Sequence, residues 1–191
     1  MIAQTIRITG TVQGVGFRPT VWRLAVERGI VGRVWNDAEG VVIQAWGSSD
    51  ALDDFVSRIE TEQPPLARIE QIIRTPLDET APDDFQIVLS REGEARTAVT
   101  ADAATCPDCL QEILDPNDRR YRYAFTNCTH CGPRLSIISA IPYDRANTSM
   151  ASFTMCERCQ KEYADPTDRR FHAQPNSCAD CGPQLWLEDN N

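Results

Sequence analysis

The stretch TVQGVGFRP, residues 11–19, decides how the first part of the chain folds. It follows an alternating strand pattern, carries two closely spaced glycines, and leads into a helix that we expect to open with Pro19. Glycines let the backbone turn inward, and a helix N-terminus behind such a loop directs several N–H groups at one point. Arg18 adds a planar set of donors that matches phosphate oxygens. The stretch therefore predicts a cradle for a single phosphoryl group.

Residues 1–90 have the pattern of one α+β domain. Strand-like runs alternate with two amphipathic helical segments, in the order β-α-β-β-α-β. This order predicts a ferredoxin-like sandwich, with two helices on one face of an antiparallel sheet. The expected strands lie near residues 5–12, 30–35, 41–46, 68–75 and 85–89.

Composition and charge narrow the classes of function. The 191 residues carry a formal net charge of −9, and both halves of the chain are acidic. A nucleic-acid binder needs a basic face, so we expect no nucleic-acid partner. Neither a membrane-spanning stretch nor a secretion signal is visible, so we expect a cytoplasmic protein without a membrane partner.

All eight cysteines follow residue 105, in an internal duplication with an offset of fifty residues. Each copy holds two Cys-x-x-Cys pairs, which is the donor set of a tetrahedral structural zinc site without an open position for water. We therefore expect two structural Zn²⁺ ions. The simplest grouping of ligands is within copies, and a nested grouping of the first pair with the last stays open. The expected ligands are Cys106, Cys109, Cys128 and Cys131 in the first copy, and Cys156, Cys159, Cys178 and Cys181 in the second.

Two further features of the duplicated region carry weaker signals. The segment DPNDRR at residues 115–120 recurs as DPTDRR at residues 165–170. These copies fit a binding patch and a turn with local charge pairing about equally well. His130 and His172 are not repeated, so we interpret both as surface residues or neighbours of the ligands, and not as ligands or bases.

Two segments of the first domain closely resemble the acylphosphatase family. They are GTVQGVGFR at residues 10–18 and GRVWNDAEGV at residues 32–41, with Glu39 where the family commonly has aspartate. The resemblance implies that Arg18 binds the phosphate and that Asn36, in a hairpin turn, orients the attacking water. The implied phosphate-binding residues are Gln13, Gly14, Val15, Gly16, Phe17 and Arg18.

The chemistry of such a site needs no histidine, cysteine or carboxylate base. An acyl phosphate releases a carboxylate, and that leaving group needs no proton from a general acid. Holding the phosphoryl group and aligning water can therefore suffice.

The chain as a whole resembles the N-terminal part of the hydrogenase-maturation carbamoyltransferases, the HypF family. The resemblance rests on the acylphosphatase-like domain, the two fingers, and runs such as NCTHCGPR at residues 127–134 and DRRFHAQP at residues 168–175. It implies hydrolysis of carbamoyl phosphate, or of another acyl phosphate, by attack of water on phosphorus. In the full-length protein it further implies ATP-dependent carbamoyl adenylate formation and transfer to the C-terminal cysteine of a maturation partner, toward the cyanide ligands of the [NiFe] centre.

The resemblance also implies that later domains are missing here, so we expect a fragment without the ATP-dependent and transfer steps. The alternative function is a non-catalytic module that binds an anion and contacts a protein through its zinc fingers. The expected parts are an acylphosphatase-like domain at 1–90, a linker at 91–105, zinc fingers at 106–133 and 156–183, an inter-finger segment at 134–155, and the start of a further linker at 184–191.

Overall fold

The computed structural model describes residues 1–91 and 97–189. A five-stranded sheet with two helices is followed by a module with little regular structure. The elements of the first part are β1 (Ile2–Thr11), α1 (Phe17–Glu27), β2 (Val31–Asn36), β3 (Val41–Gly47), α2 (Ser49–Thr61), β4 (Arg68–Pro76) and β5 (Phe85–Ile87).

The sheet has the strand order β4-β1-β3-β2-β5. Its first four strands pair antiparallel and, with α1 and α2, form the ferredoxin-like arrangement, which confirms the predicted fold class. β5 departs from the expected antiparallel sheet, because it pairs in parallel with β2. β4 ends at the end of the sheet where β2 begins. A chain that crosses from the opposite edge therefore enters beside β2 in the same direction.

The core lies between this sheet and its two helices. Ile6 and Ile8 of β1 are fully buried and belong to one apolar cluster with Phe55 of α2. Burial of a large apolar side chain contributes about 1.5–3 kcal/mol. The Nε1 of Trp22 in α1 also donates to the carbonyl oxygen of Phe85 at 2.8 Å, which fastens β5 to the helix. The loop between β1 and α1 is thus held at both ends by packed elements.

Two details of this loop differ from the sequence prediction. α1 begins at Phe17, two residues before Pro19, and Gly16 is its N-cap with φ of 80°. Pro19 is tolerated there because N–H groups of the first turn have no partner within a helix. Asn36 is the last residue of β2 and is buried, so it does not lie in the hairpin turn as expected.

The second part of the chain consists of two similar units. Each contains one short helix that begins directly after the first cysteine of its copy, α3 (Pro107–Leu114) and α4 (Glu157–Ala164). The sequence duplication is therefore a duplication of structure. Short 3₁₀ turns, Arg145–Asn147 and Ser149–Ser152, lie between the two units. Within the described ranges, no helix has both the length and the apolar composition needed to cross a bilayer.

The segment predicted as a linker packs against both parts of the structure where it is described. Residues 92–96 lie outside the described residues. The hydroxyl of Thr100 donates to the carbonyl oxygen of Gln13 at 2.8 Å, and Ala103 exchanges two backbone hydrogen bonds with Gly132. The segment therefore helps to hold the finger module against the loop after β1.

The turn between β2 and β3 generates a stability prediction. Gly40 has φ of 155°, and a Cβ there would lie 2.2 Å from the carbonyl oxygen of Ile8. We expect Gly40→Ala to lower the free energy of unfolding by about 3 kcal/mol or more, because the β1 backbone must move. Urea unfolding followed by tryptophan fluorescence measures the change.

Gly29→Ala is the matched control. Gly29 has φ of 62°, but nothing lies within 4 Å of its added Cβ. We expect it to cost only about 1 kcal/mol, from backbone conformation alone. Equal losses in the two variants would contradict the close approach of Gly40 to β1.

Candidate functional site

A cavity of about 30 Å³ lies where the loop after β1 meets the finger module. A larger cleft of about 650 Å³ adjoins it and shares Arg18, His172 and Gln174. Both parts of the chain contribute walls. The cavity is lined by Val12, Gly14, Gly16, Phe17, Arg18, Pro19, Asn36, Thr129, Arg134, Tyr143, His172, Ala173, Gln174 and Pro175.

The loop after β1 offers unpaired backbone donors at this cavity. Among the described residues, no acceptor receives a hydrogen bond from the N–H groups of residues 14–18. Gly14 and Gly16 have φ of 74° and 80°, in the left-handed region that other residues rarely adopt. A Cβ on Gly16 would also lie only 3.0 Å from the Cγ2 of Thr129. Unpaired N–H groups at a helix N-terminus are typical of an anion-binding site.

Arg18 lies at the wall of the cavity, and the segment between the two units holds its side chain. The side chain is nearly buried, and its Nη2 forms an ion pair with Asp144 at 2.7 Å. The same nitrogen donates to the carbonyl oxygen of Tyr143 at 3.3 Å, and Nη1 donates to the Ser90 hydroxyl at 3.2 Å. The guanidinium is therefore fixed in place before any ligand arrives.

Asn36 supplies an unpaired acceptor to the same cavity. Its side chain is 1% exposed, and its Oδ1 has no hydrogen-bond partner among the described residues. A buried polar atom left unpaired costs about 1–3 kcal/mol. Such a cost is typical of a position where a water or ligand completes the bond. The cavity thus combines donors on one side with a free acceptor on another.

Two residues of the predicted phosphate loop point elsewhere. The Gln13 side chain donates to the carbonyl oxygens of Asp37 and Gly40 at 2.7 and 2.8 Å, and accepts from the Tyr143 N–H at 2.9 Å. Val15 is buried in the core. Gln13 therefore joins the loop to the β2–β3 turn and to the finger module. The other predicted residues of the loop line the cavity.

The finger module adds cavity residues that the sequence reasoning did not assign to the site. Arg134 is 2% exposed, and its Nε donates to the carbonyl oxygen of Gly14. One of these residues differs between the two copies of the duplication, and that difference is a signal in the sequence: His172 is not repeated. The corresponding residue of the first copy, Arg122, is exposed and lies over the ring of Tyr121. The added residues are Thr129, Arg134, Tyr143, His172, Ala173, Gln174 and Pro175.

His172 is half-buried at the cavity, whereas His130 is exposed. The imidazole contacts the rings of Phe171 and Tyr163, with centroids 4.6 and 5.0 Å away. Burial, followed by the positive charge of Arg18, lowers the pKa of His172 to about 4, against an opposing effect of Asp144. The ring is therefore neutral near pH 7.

The eight cysteines form two groups, each within one copy of the duplication. In each group the sulfur atoms lie within 4.8 Å of one another, which is the within-copy arrangement and not the nested one. Hydrogen-bonded sulfur pairs are 3.6 to 3.8 Å apart. Four sulfurs around one ion at a Zn–S length of about 2.3 Å would lie about 3.8 Å apart, so the groups fit a tetrahedral ion. The groups are Cys106, Cys109, Cys128 and Cys131, and Cys156, Cys159, Cys178 and Cys181.

The repeated Asp-Arg-Arg segments connect the two units. The Oδ1 atoms of Asp118 and Asp168 each accept the N–H two residues ahead at 2.7 Å, so the expected turn forms. The arginines, however, are not paired locally. Arg119 and Arg169 each donate to a cysteine sulfur of the other copy. The charges therefore join the units and do not form a surface patch.

Comparisons with known proteins agree with this arrangement. The acylphosphatase family matches residues 4–87, and the HypF finger family matches residues 105–138 and 155–188. A carbamoyltransferase HypF of Rhodobacter capsulatus is 56% identical over 156 residues, 81% of this chain and 21% of the relative. An acylphosphatase of Ligilactobacillus salivarius is 39% identical over 83 residues, 43% of this chain and 92% of the relative.

Similarity to solved structures extends over the whole chain. A crystal structure of full-length HypF, in the phosphate- and nucleotide-bound form, has a TM-score of 0.92 and 46% identity. The match covers 99% of this chain and 26% of that one. The chain spans about a fifth of the length of the curated HypF relatives that it matches.

The lowered pKa of His172 generates a prediction about stability and pH. The unfolded chain takes up a proton near pH 6.5, whereas the folded protein does so only at about pH 4. The unfolded state thus binds more protons in this window, and stability falls as the pH decreases through it. The free energy of unfolding therefore decreases on acidification, and we expect His172→Gln to make this decrease smaller by about 1–3 kcal/mol.

Urea unfolding at pH 7 and at about pH 4.5 measures the difference between the proteins. His130→Gln is the control, because His130 is exposed and should leave the pH dependence unchanged. A variant at position 172 that loses stability with acid as steeply as the native protein would show that this ring is not held neutral.

Proposed function

Since the chain belongs to the HypF family, with an acylphosphatase domain followed by two HypF fingers, we propose that its first domain hydrolyses acyl phosphates and that carbamoyl phosphate is the substrate. One observation carries the proposal. Within the part of the chain that the structure describes, one cavity is lined by Asn36, whose Oδ1 is unpaired, and by loop residues whose N–H groups are unpaired, namely Gly14, Gly16, Phe17 and Arg18. A phosphoryl group needs donors around its oxygens, and an attacking water needs an acceptor.

In the proposed reaction a water attacks phosphorus, and the bond from phosphorus to the acyl oxygen breaks. The N–H groups of residues 14–18 and the Arg18 guanidinium stabilise the charge on the phosphoryl oxygens. Asn36 Oδ1 accepts a hydrogen bond from the water and holds it in line with the leaving group. The water's proton passes to the phosphate. Carbamate leaves as an anion, so no general acid is required.

The segment between the two finger units would hold Arg18 in position for this reaction. Asp144 and the Tyr143 carbonyl hold the Arg18 guanidinium at the cavity, so little ordering is needed when phosphate binds. The cleft of about 650 Å³ that shares Arg18 with the cavity leaves room beside the phosphoryl site for the acyl group. A neutral His172 adds no charge to a site whose donors already match the phosphate.

We propose structural Zn²⁺ in both cysteine groups. Four thiolates per group satisfy a tetrahedral ion and leave no position for a water, so the ion has no hydrolytic role. When bound, it would tie two Cys-x-x-Cys turns together and stabilise a unit with little apolar core. The pKa of the Cys159 thiol is raised by burial and by the neighbouring Cys181, and a bound cation would favour the ionised form of this sulfur.

In a full-length protein we propose that the carbamoyl group goes on to later steps. These would be ATP-dependent activation and transfer to the C-terminal cysteine of a hydrogenase maturation partner. The support is that the R. capsulatus relative is named a carbamoyltransferase and that the similar full-length structure is described as phosphate- and nucleotide-bound. We also propose a cytoplasmic location, and the net charge of −9 agrees with a role without nucleic acid.

The alternative function is a non-catalytic module that binds an anion and contacts another protein. In it, the Asp144 carboxylate, 2.7 Å from the Arg18 guanidinium, would keep that guanidinium from stabilising a transferring phosphoryl group, while the backbone N–H groups of the loop still bind an anion. Anion binding without turnover is the behaviour that distinguishes this function from hydrolysis.

Substitution of the two proposed catalytic residues tests the hydrolase function. We expect Asn36→Ala and Arg18→Ala each to lower kcat for phosphate release from carbamoyl phosphate by about 100-fold or more, because water positioning or charge stabilisation is lost. Arg18→Ala should also weaken inhibition by inorganic phosphate, whereas Asn36→Ala should not. Steady-state kinetics with carbamoyl phosphate and acetyl phosphate measures both effects.

Arg74→Ala is the control, since Arg74 is exposed on β4 and pairs with Ile6 in the strand register, several residues before the loop. It should behave as the native chain. If the native chain binds inorganic phosphate but releases none from either substrate, the non-catalytic function is favoured. Release that is indifferent to both substitutions would place the chemistry elsewhere.

Metal content provides a separate prediction. We expect two zinc ions per folded chain by elemental analysis. Exhaustive chelation should unfold the finger module and abolish phosphate release, while the circular dichroism of the sheet is retained, and added zinc should restore the activity. Fewer than two ions, or fingers that stay folded without metal, would contradict the two-site proposal.

A further inference from the structure

The two cysteine-containing units exchange arginines. Arg119 of the first copy donates through Nη2 to the sulfur of Cys159 in the second copy at 2.8 Å. Arg169 of the second copy donates through Nη1 to the sulfur of Cys109 in the first copy at 3.1 Å. In both cases a second sulfur of the same group lies 3.8 Å from the same nitrogen. Each cysteine group is therefore contacted by a guanidinium of the opposite unit.

A carboxylate on each short helix orients the arginine that arrives from the other unit. Glu162 of α4 forms ion pairs with Arg119 at 3.0 Å and with Arg120 at 2.6 Å. Arg120 is 2% exposed, so the interaction is inside the module and not on its surface. The reciprocal ion pairs join Glu112 of α3 to Arg169 and Arg170.

The reciprocity of these contacts argues that they have a role at the sulfurs. Arg119 and Arg169 are fifty residues apart, and they reach the corresponding cysteine of each other's copy. Proximity in sequence does not produce such a contact. Arg158 lies between two cysteines of one group, yet its side chain is exposed and makes no hydrogen bond to any described residue.

Four thiolates around a divalent ion carry a net charge of −2. Hydrogen bonds from a guanidinium to sulfur offset part of this charge, and partners of this kind change metal affinity by about 10–100-fold. Resting on the proposed zinc occupancy, we propose that Arg119 and Arg169 are positioning residues that complete the metal centre of the opposite unit. The metal affinity of each centre then depends on the fold of the other unit.

This arrangement couples the loss of the two metals. Arg119 lies between Cys109 and Cys128 of its own copy, so its position depends on the turn closed by its own metal. Loss of that metal releases the arginine and withdraws a donor from the second centre. The coupling also reaches the anion cavity, because the N–H of Thr129 donates to the Arg169 carbonyl at 3.3 Å and Thr129 lines the cavity.

The test uses the whole chain with zinc in both groups. A chelator is added together with a thiol-alkylating reagent, and mass spectrometry of the cysteine peptides reports which group loses its metal first. We expect Arg169→Leu to accelerate alkylation of Cys106 and Cys109, in the opposite unit, about 10–100-fold. Arg119→Leu should accelerate alkylation of Cys156 and Cys159 instead. In each variant, alkylation of the other cysteine group should begin later than alkylation of the first.

Arg158→Leu is the matched control, since it removes a positive charge beside the ligands without removing a sulfur contact. It should leave both rates unchanged. Arg169→Lys keeps the charge but not the planar set of donors, so we expect an intermediate rate of alkylation of Cys106 and Cys109. This variant also provides the test if Arg169→Leu does not fold.

Metal loss that begins in the variant's own unit would overturn the proposal, as would rates equal to those of the native chain or of Arg158→Leu. A native chain that binds no zinc would overturn both this proposal and the zinc occupancy on which it rests. The roles of Asn36 and Arg18 in hydrolysis are tested separately, by the variants at those two positions.

Discussion

The buried side chain of Arg134 is the interaction on which the arrangement of the two parts depends. It is 2% exposed, and a guanidinium at that depth is stable only when its donors are paired. It donates to the carbonyl oxygens of Cys128, Thr129 and Cys131 at 3.2, 2.9 and 3.2 Å, and also to that of Gly14. The first three carbonyls converge only in the folded cysteine turn. The shape of that turn and the position of the loop after β1 are therefore linked through one side chain.

This linkage gives the loop of the acylphosphatase domain a second set of neighbours. The L. salivarius acylphosphatase is 92% covered by this chain, so a protein of that family needs little beyond the first domain. Here Tyr143, His172 and Gln174 line the same cavity as Gly14, Gly16 and Arg18 of the loop. A site with less water has a lower effective dielectric, which strengthens the attraction between its donors and an anion.

Local pattern was enough to predict the strands, the two helices and the loop, because alternation and helical periodicity follow from which faces are buried. It could not predict that β5 would pair in parallel with β2, since that depends on how the chain crosses the sheet. The cysteine spacing predicted the two groups, but within-copy and nested grouping differ only in three dimensions. Arg119 and Arg134 were missed because Arg119 contacts the other unit and Arg134 contacts Gly14 of the first domain, and nothing in a sequence marks an arginine that will be buried.

The duplication explains why the two units are alike at their cysteines and unlike at the cavity. The reciprocal contacts of Arg119 and Arg169 require the same residues in both copies, so those positions cannot change independently. Position 172 is under no such constraint. The first copy places Arg122 on the surface, while the second places His172 at the cavity, and both backbones have φ near 55° at this position. The fold of the unit thus sets the same backbone conformation at both positions. The side chain there can differ between the copies, because only the second unit contributes this position to the cavity.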